Sequence, residues 1–251
     1  MALEAQVPMR LCPVAVRRDG RRSPTASALD DRAVVVPGSG HDVIVLDHAG
    51  PRAACWSADR AIGAADVPEA ETGRRPHPLD DRGWRALIDA FLHAAAVVRA
   101  AGRTIALGVD DDGLLQGAWS PRTGGAPDGN RLERVLAVHR AIGPSDALLC
   151  VEELCPGGVD ATDGIEAARA LVAQGATTIY ASAGTRAFAP LLTRVKGDTV
   201  GDPALVLASA AWLVGRVAAR VVAVVPRGDR TELLPRARAL GLDDVLVRVP
   251  T

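Results

Sequence analysis

Acidic residues collect at the C-terminal ends of short apolar runs in this chain. Asp47 and His48 follow VIVL, Asp110, Asp111 and Asp112 follow TIALGV, and Glu152 and Glu153 follow ALLCV. Ser182 and Arg227 close two later runs of the same kind. Carboxylates crowded into a cleft raise one another's pKa, and a carboxyl group titrating near neutrality suits general acid or base catalysis. Enolisation, isomerisation, dehydration and cyclisation all use such a group without a cofactor. The expected catalytic set is Asp112, Glu152, Asp110, Asp47 and His48. Trp119, Ser182 and Arg227 are the expected substrate contacts.

Each of these residues also has a plainer reading. Asp110–Asp112 with Gly113 reads equally as a solvated turn after a strand. Glu152 and Glu153 are adjacent, so in a strand they point to opposite faces. One then faces the rim of the site, and the other faces the helix layer and pairs with an Arg there. His48 is the only His at a strand end, and a loop surface is its alternative. Trp119 either lines a pocket or packs.

Positioning such a set requires strand ends that converge. The runs Leu11–Val16, Asp42–Leu46, Thr104–Leu107, Ala147–Val151, Thr177–Ala181, Arg220–Val225 and Asp244–Val249 are apolar on both faces, as buried parallel strands are. Helical patterns at Asp80–Ala100, Asn130–Ile142, Thr162–Gln174, Pro203–Val217 and Arg230–Leu240 separate the later runs. This strict alternation predicts a parallel α/β sheet built by right-handed crossovers, a TIM-barrel-like (β/α)8 fold in one domain over residues 1–251. In such a barrel the active site lies at the C-terminal strand ends, where the acids fall.

Composition narrows the function classes. Hydrophobic residues make up 48% of the 251, enough for a large core. The net charge of −1 gives no bulk attraction to nucleic acid or an anionic membrane. No continuous apolar span is long enough to cross a membrane. The four cysteines form no C-x-x-C pair and no ligand spacing with His, so no metal is expected and a reducing cytoplasm is.

The stretch from Phe91 to Arg131 reads FLHAAAVVRAAGRTIALGVDDDGLLQGAWSPRTGGAPDGNR. It resembles the old yellow enzyme family of FMN-dependent ene-reductases in the order F-x-x-A-A, A-G, a strand, L-L, S-P, a Gly-rich loop and N-R. Cys12-Pro13-Val14, Gly40–Asp47, VEELCPGG at Val151–Gly158 and QGATTIYASAGT extend the likeness collinearly over most of the chain. The resemblance implies a barrel and an FMN site, but the family's functional positions are altered. Its histidine pair is replaced by Val109 to Asp112, its flavin-facing Thr by Ala15 and its fifth-strand Arg by Glu152. Val225-Pro226-Arg227 stands for the phosphate-binding glycines, and Arg248-Val249-Pro250 for the Gly-Arg of the eighth strand. The interval from Asp47 to Asp80 is too short for the family's third βα unit, and the C-terminal helix is absent from the sequence pattern.

These departures lead to the expectation of a shortened barrel that has lost ene reduction and acts on a small molecule without any cofactor. An FMN oxidoreductase with altered cofactor contacts is the alternative, and a non-catalytic partner or scaffold the second. The missing third unit predicts a gap flanked by the second and fourth strands. Ala33–Val36, the Ala53–Ala65 stretch or a second subunit would have to cover it, which makes a homodimer the expected assembly.

Overall fold

Short runs of Val, Ile, Leu and Ala dominate the architecture. The computed structural model describes residues 9–13, 43–47, 62–64, 75–110, 113–123, 131–185, 202–226 and 228–247. Strands β1 (Met9–Pro13), β2 (Val43–Asp47), β3 (Ile62–Gly63) and β4 (His77–Pro78) come first, followed by helix α1 (Asp81–Ala100) and β5 (Thr104–Val109). Then follow α2 (Leu114–Trp119), a 3-10 turn at Pro121–Thr123, α3 (Arg131–Ile142), β6 (Asp146–Glu152), α4 (Ala161–Ala173) and β7 (Thr178–Ala183). The chain continues through α5 (Pro203–Ala211), β8 (Arg220–Val225), α6 (Arg230–Ala239) and β9 (Asp244–Val247).

Seven of these strands form one sheet in the order β1-β2-β5-β6-β7-β8-β9, and every pairing is parallel. This is a shortened, TIM-barrel-like α/β fold. Among the described residues no pairing joins β9 back to β1. The third barrel strand is missing from the sheet, as its short interval predicts. The gap expected in its place is not there. β2 and β5 bond directly, with Val43 opposite Thr104 and Leu46 opposite Leu107. The two strands are apolar on both faces, so each is a suitable neighbour for the other once the intervening unit is gone. The exposed edges that motivated the dimer are therefore corrected. Ile62–Gly63, inside the stretch proposed to fill the gap, pairs instead with His77–Pro78 in a separate two-stranded sheet. Ala33–Val36 lies outside the described residues.

The sheet has a core on each face. The larger one packs Leu46, Leu107, Val109, Leu149, Val151, Ile179 and Ala181 against the helices. The smaller holds Val43, Val45, Ala106, Leu148, Tyr180, Val222, Val224 and Leu246 on the inner face. Successive strand residues alternate between these two cores, as the pleat requires. α1 begins cleanly because the Asp80 carboxylate accepts from Gly83 N at 2.7 Å. α4 begins on a reciprocal capping box between Asp160 and Asp163. α5 is shorter than its apolar pattern, which runs to Val217. It ends at Ala211, and Gly215 then takes a left-handed φ of 69°, where the backbone turns toward β8.

Candidate functional site

The inner face carries a polar layer above its apolar core, at the C-terminal ends of the strands. Two residues beyond Val45 on the same face stands Asp47, two beyond Leu148 stands Cys150, and two beyond Tyr180 stands Ser182. Asp110 follows Ala106 and Gly108 in the same rhythm. All are buried, with Asp47 at 4% exposure, Asp110 at 5% and Ser182 at 4%. The Ser182 hydroxyl donates to Asp110 Oδ1 at 2.6 Å, and Leu149 O lies 3.3 Å away. That bond links β5 to β7 over the intervening β6, whose Cys150 is paired in register with Ser182. The Cys150 thiol lies 3.4 Å from Glu152 O and 3.5 Å from Gly184 O.

Two glycines hold Asp47 in this layer. A Cβ at Gly113 would stand 2.7 Å from Asp47 Oδ1 and 3.1 Å from Asp110 O. A Cβ at Gly108 would stand 2.8 Å from Asp47 Cβ. Both approaches are closer than a side chain permits, so the backbone of β5 and its following turn closes on the Asp47 carboxylate only because glycine is there. The Gly113 N–H donates to Asp110 O at 3.0 Å. In the sequence Gly113 reads only as part of a turn, and the signal for the role of both glycines is their spacing around the acidic tip.

Glu152 ends β6 and Glu153 follows it, and both turn to helix-side partners instead of pointing to opposite faces. Glu152 is half-buried, and its Oε2 accepts from Ser209 Oγ of α5 at 2.9 Å. Its expected place at the mouth is corrected toward the helix layer. A register shift between Cys150 and Glu152 aligns Glu152 with Ala183, which packs against the outer core. Glu153 is buried beneath α2. It accepts from Gln116 Nε2 at 2.8 Å, Ser120 Oγ at 2.8 Å and Val159 N at 3.1 Å, with Arg122 Nε at 3.5 Å. The Arg partner expected for one of these glutamates belongs to Glu153, and it comes from the 3-10 turn. Trp119 lies in the outer core with Leu114 and Leu115 rather than on the inner face. His48, Asp112 and Arg227 lie outside the described residues, as does Asp111.

At the opposite end of the sheet the polar groups serve the backbone. Asp146 Oδ1 accepts from Thr178 N at 2.8 Å and Thr177 Oγ1 at 2.9 Å. Asp244 Oδ1 accepts from Val245 N at 2.7 Å and Arg230 Nη2 at 2.9 Å. Burial above these carboxylates, with Asp146 adding to it, pushes the Tyr180 phenol up to about 12. Among the described residues no group of three His, Cys, Asp or Glu is placed to hold a metal ion, and no helix is long and apolar enough to cross a membrane.

No family model and no curated protein matches the sequence. Solved structures do match the fold. Morphinone reductase aligns with a TM-score of 0.63 and 15% identity, over 84% of this chain and 62% of its own length. The old yellow enzyme from Trypanosoma cruzi aligns with a TM-score of 0.59 and 16% identity, over 83% of this chain and 63% of that one. 2-Naphthoyl-CoA reductase, in complex with 2-naphthoyl-CoA, aligns with a TM-score of 0.70 and 15% identity, over 90% of this chain and 38% of that one. The chain therefore spans less than two thirds of each of these proteins. At such identities the match establishes the fold, which is that of old yellow enzyme-like barrels.

The expectation of a barrel with no cofactor is corrected by these neighbours. They are redox enzymes of the flavin-dependent kind named above, and morphinone reductase is also known in complex with tetrahydroNAD. The residues of this chain would suit a flavin unequally. At the ring, the inner-face layer offers buried carboxylate and hydroxyl oxygens of the sort a ring N–H would meet. At the phosphate, the turn after β8 offers less. Pro226 has no N–H. The N-terminus of α6, a natural anion site, is capped by Asp229, whose Oδ1 accepts from Thr231 N at 2.8 Å and Thr231 Oγ1 at 2.7 Å. Those two bonds hold the exposed Asp229 carboxyl below its ordinary pKa.

Proposed function

We propose that this chain is an oxidoreductase barrel that holds a flavin at the C-terminal mouth of its strands through rebuilt contacts. The observation that carries this reading is the buried Asp110–Ser182 pair on the inner face, placed at the strand ends of a fold shared with reductases. FMN, when bound, supplies hydride transfer to or from a small unsaturated molecule. Asp110 presents an acceptor to a ring N–H, and a hydrogen bond to a charged group is worth about 1.5–3 kcal/mol. Ser182 fixes the rotamer of that carboxylate by donating to Oδ1. The backbone at Gly113 lies too close to the Asp47 carboxylate for any side chain there. With Asp229 committed to α6, the basic residues that would meet a phosphate are Arg227 and Arg248, which follow β8 and β9 in the sequence.

The test is direct. The protein is purified and its visible spectrum recorded, and it is then stripped of any flavin and titrated with FMN by quenching of flavin fluorescence. Saturable quenching, together with oxidation of NADH or NADPH when an α,β-unsaturated ketone is added, is the expected result. A preparation that carries no flavin and leaves added FMN unquenched contradicts the reading.

A further inference from the structure

The outward face of α5 is apolar throughout. From Pro203 to Val214 the sequence has no charged residue. Its buried side, Val206, Leu207, Ser209 and Ala210, packs on the sheet. The opposite side shows Ala204, Leu205 and Ala208 exposed, Ala211 half-buried and Trp212 exposed. Trp212 is 47% and Leu205 40% accessible, an exposure unusual for two large apolar side chains on one helix face. By contrast, the exposed face of α1 carries Asp81, Arg82, Arg85, Asp89 and Arg99 around its one exposed leucine, Leu92. The α5 stripe covers on the order of 300 Å², a patch size that is often functional on a protein surface.

We infer that this face is the centre of a two-fold contact with a second copy of the chain. A two-fold interface must be complementary to itself. Along α5 the bulky side chain lies at the C-terminal end and the small ones at the N-terminal end. Antiparallel packing about Ala208 sets Trp212 of one copy against Ala204 of the other, and Leu205 against Ala211. Each large side chain thus meets a small one, and the two Ala208 residues meet on the axis. The charges at the ends agree. Asp202 caps the N-terminus of α5, and Arg216 follows its C-terminus with its guanidinium 5.4 Å from the Trp212 ring centre. The antiparallel arrangement brings the acidic end of each helix to the basic end of the other, and it opposes the helix dipoles favourably. A parallel arrangement would stack like on like. The stripe is smaller than the roughly 800 Å² per partner of a standard interface, so the expected dimer is a weak, concentration-dependent one.

Sedimentation velocity at micromolar concentration and cysteine cross-linking test this together. The wild-type chain should sediment as a species of twice 26.0 kDa that dissociates on dilution. Ala208→Arg, which places two guanidinium groups on the axis, should weaken association at least a hundredfold while the circular dichroism spectrum stays unchanged. Ala208→Cys should form a disulfide-linked dimer under mild oxidation, well above the wild-type background. Leu92→Cys, on the exposed face of α1, should not. A wild-type chain that stays monomeric at every concentration overturns the inference. So does a dimer that tolerates Ala208→Arg and gives no cross-link at Ala208→Cys.

Discussion

Glu153 and Asp110 are both buried carboxylates just beyond the C-terminal ends of neighbouring strands, β6 and β5, yet their surroundings differ. Glu153 lies on the helix side of the sheet. Donors converge on it from α2, the 3-10 turn and the loop before α4, so it joins three segments. Asp110 lies on the inner side and is reached by the Ser182 hydroxyl over an intervening strand. Both are carboxylates at strand ends, so type and position along the chain do not separate them. The face of the sheet does. A carboxylate turned to the helices stitches the scaffold, and one turned to the inner face is held by a hydroxyl from two strands away.

The comparison breaks first at Glu153. Glu153→Ala strands Gln116, Ser120 and Arg122 in a buried site, and removing one partner of a buried ion pair costs about 3–5 kcal/mol. Urea unfolding should show a loss of that size, whereas Asp110→Asn should lose no more than about 1 kcal/mol. Equal losses would erase the distinction between the two faces. Gly113→Ala comes next. The added methyl overlaps Asp47 Oδ1 at 2.7 Å, and overpacking of this kind costs about 1–3 kcal/mol. Its thermal midpoint should fall, and FMN quenching should fall with it if the turn closes the ligand layer.

The third prediction sharpens the contrast between the two ends of the inner face. Tyr180 is the only tyrosine in the chain, so its ionisation can be followed by ultraviolet absorbance. Its folded pKa of about 12 lies above the ordinary 10.0. The neutral phenol is thus favoured by folding. Its contribution is fully present below pH 10 and is lost as the pH rises through about 12. Tyr180→Phe should flatten the decline in stability over that window. A phenol titrating at its ordinary value would show that this end is open to water. Ser182→Ala should likewise cost only about 1 kcal/mol of stability. Its consequence should appear instead in weaker flavin binding, as Asp110 loses its fixed rotamer.

Much of the fold is readable from the apolar runs, because strands buried on both faces leave little ambiguity. Asp42–Leu46, Thr104–Leu107 and Arg220–Val225 all lie within or against observed strands. The site is only partly readable. Period-two alternation from Leu148 through Cys150 places Glu152 on the inner face. The register shift after Cys150 turns it to Ser209 instead, and no residue type announces that shift. The Asp110–Ser182 bond joins residues 72 positions apart on strands that are not neighbours, so only the assembled sheet reveals it. Trp119 was ambiguous because a Trp before Ser-Pro suits a pocket or a packed helix end. The short α2, stopped by Ser120-Pro121, decides for packing.

The most direct test of the central claim is an FMN titration of the wild-type protein, Asp110→Asn and Glu153→Gln, read by fluorescence quenching alongside thermal unfolding of each. The account predicts that Asp110→Asn binds about tenfold more weakly with its unfolding midpoint nearly unchanged, since one charge-assisted hydrogen bond is lost. Glu153→Gln should lower the midpoint while the molecules that remain folded bind FMN as the wild type does. Wild-type binding that is undiminished in Asp110→Asn, or no FMN binding by any of the three, would contradict it.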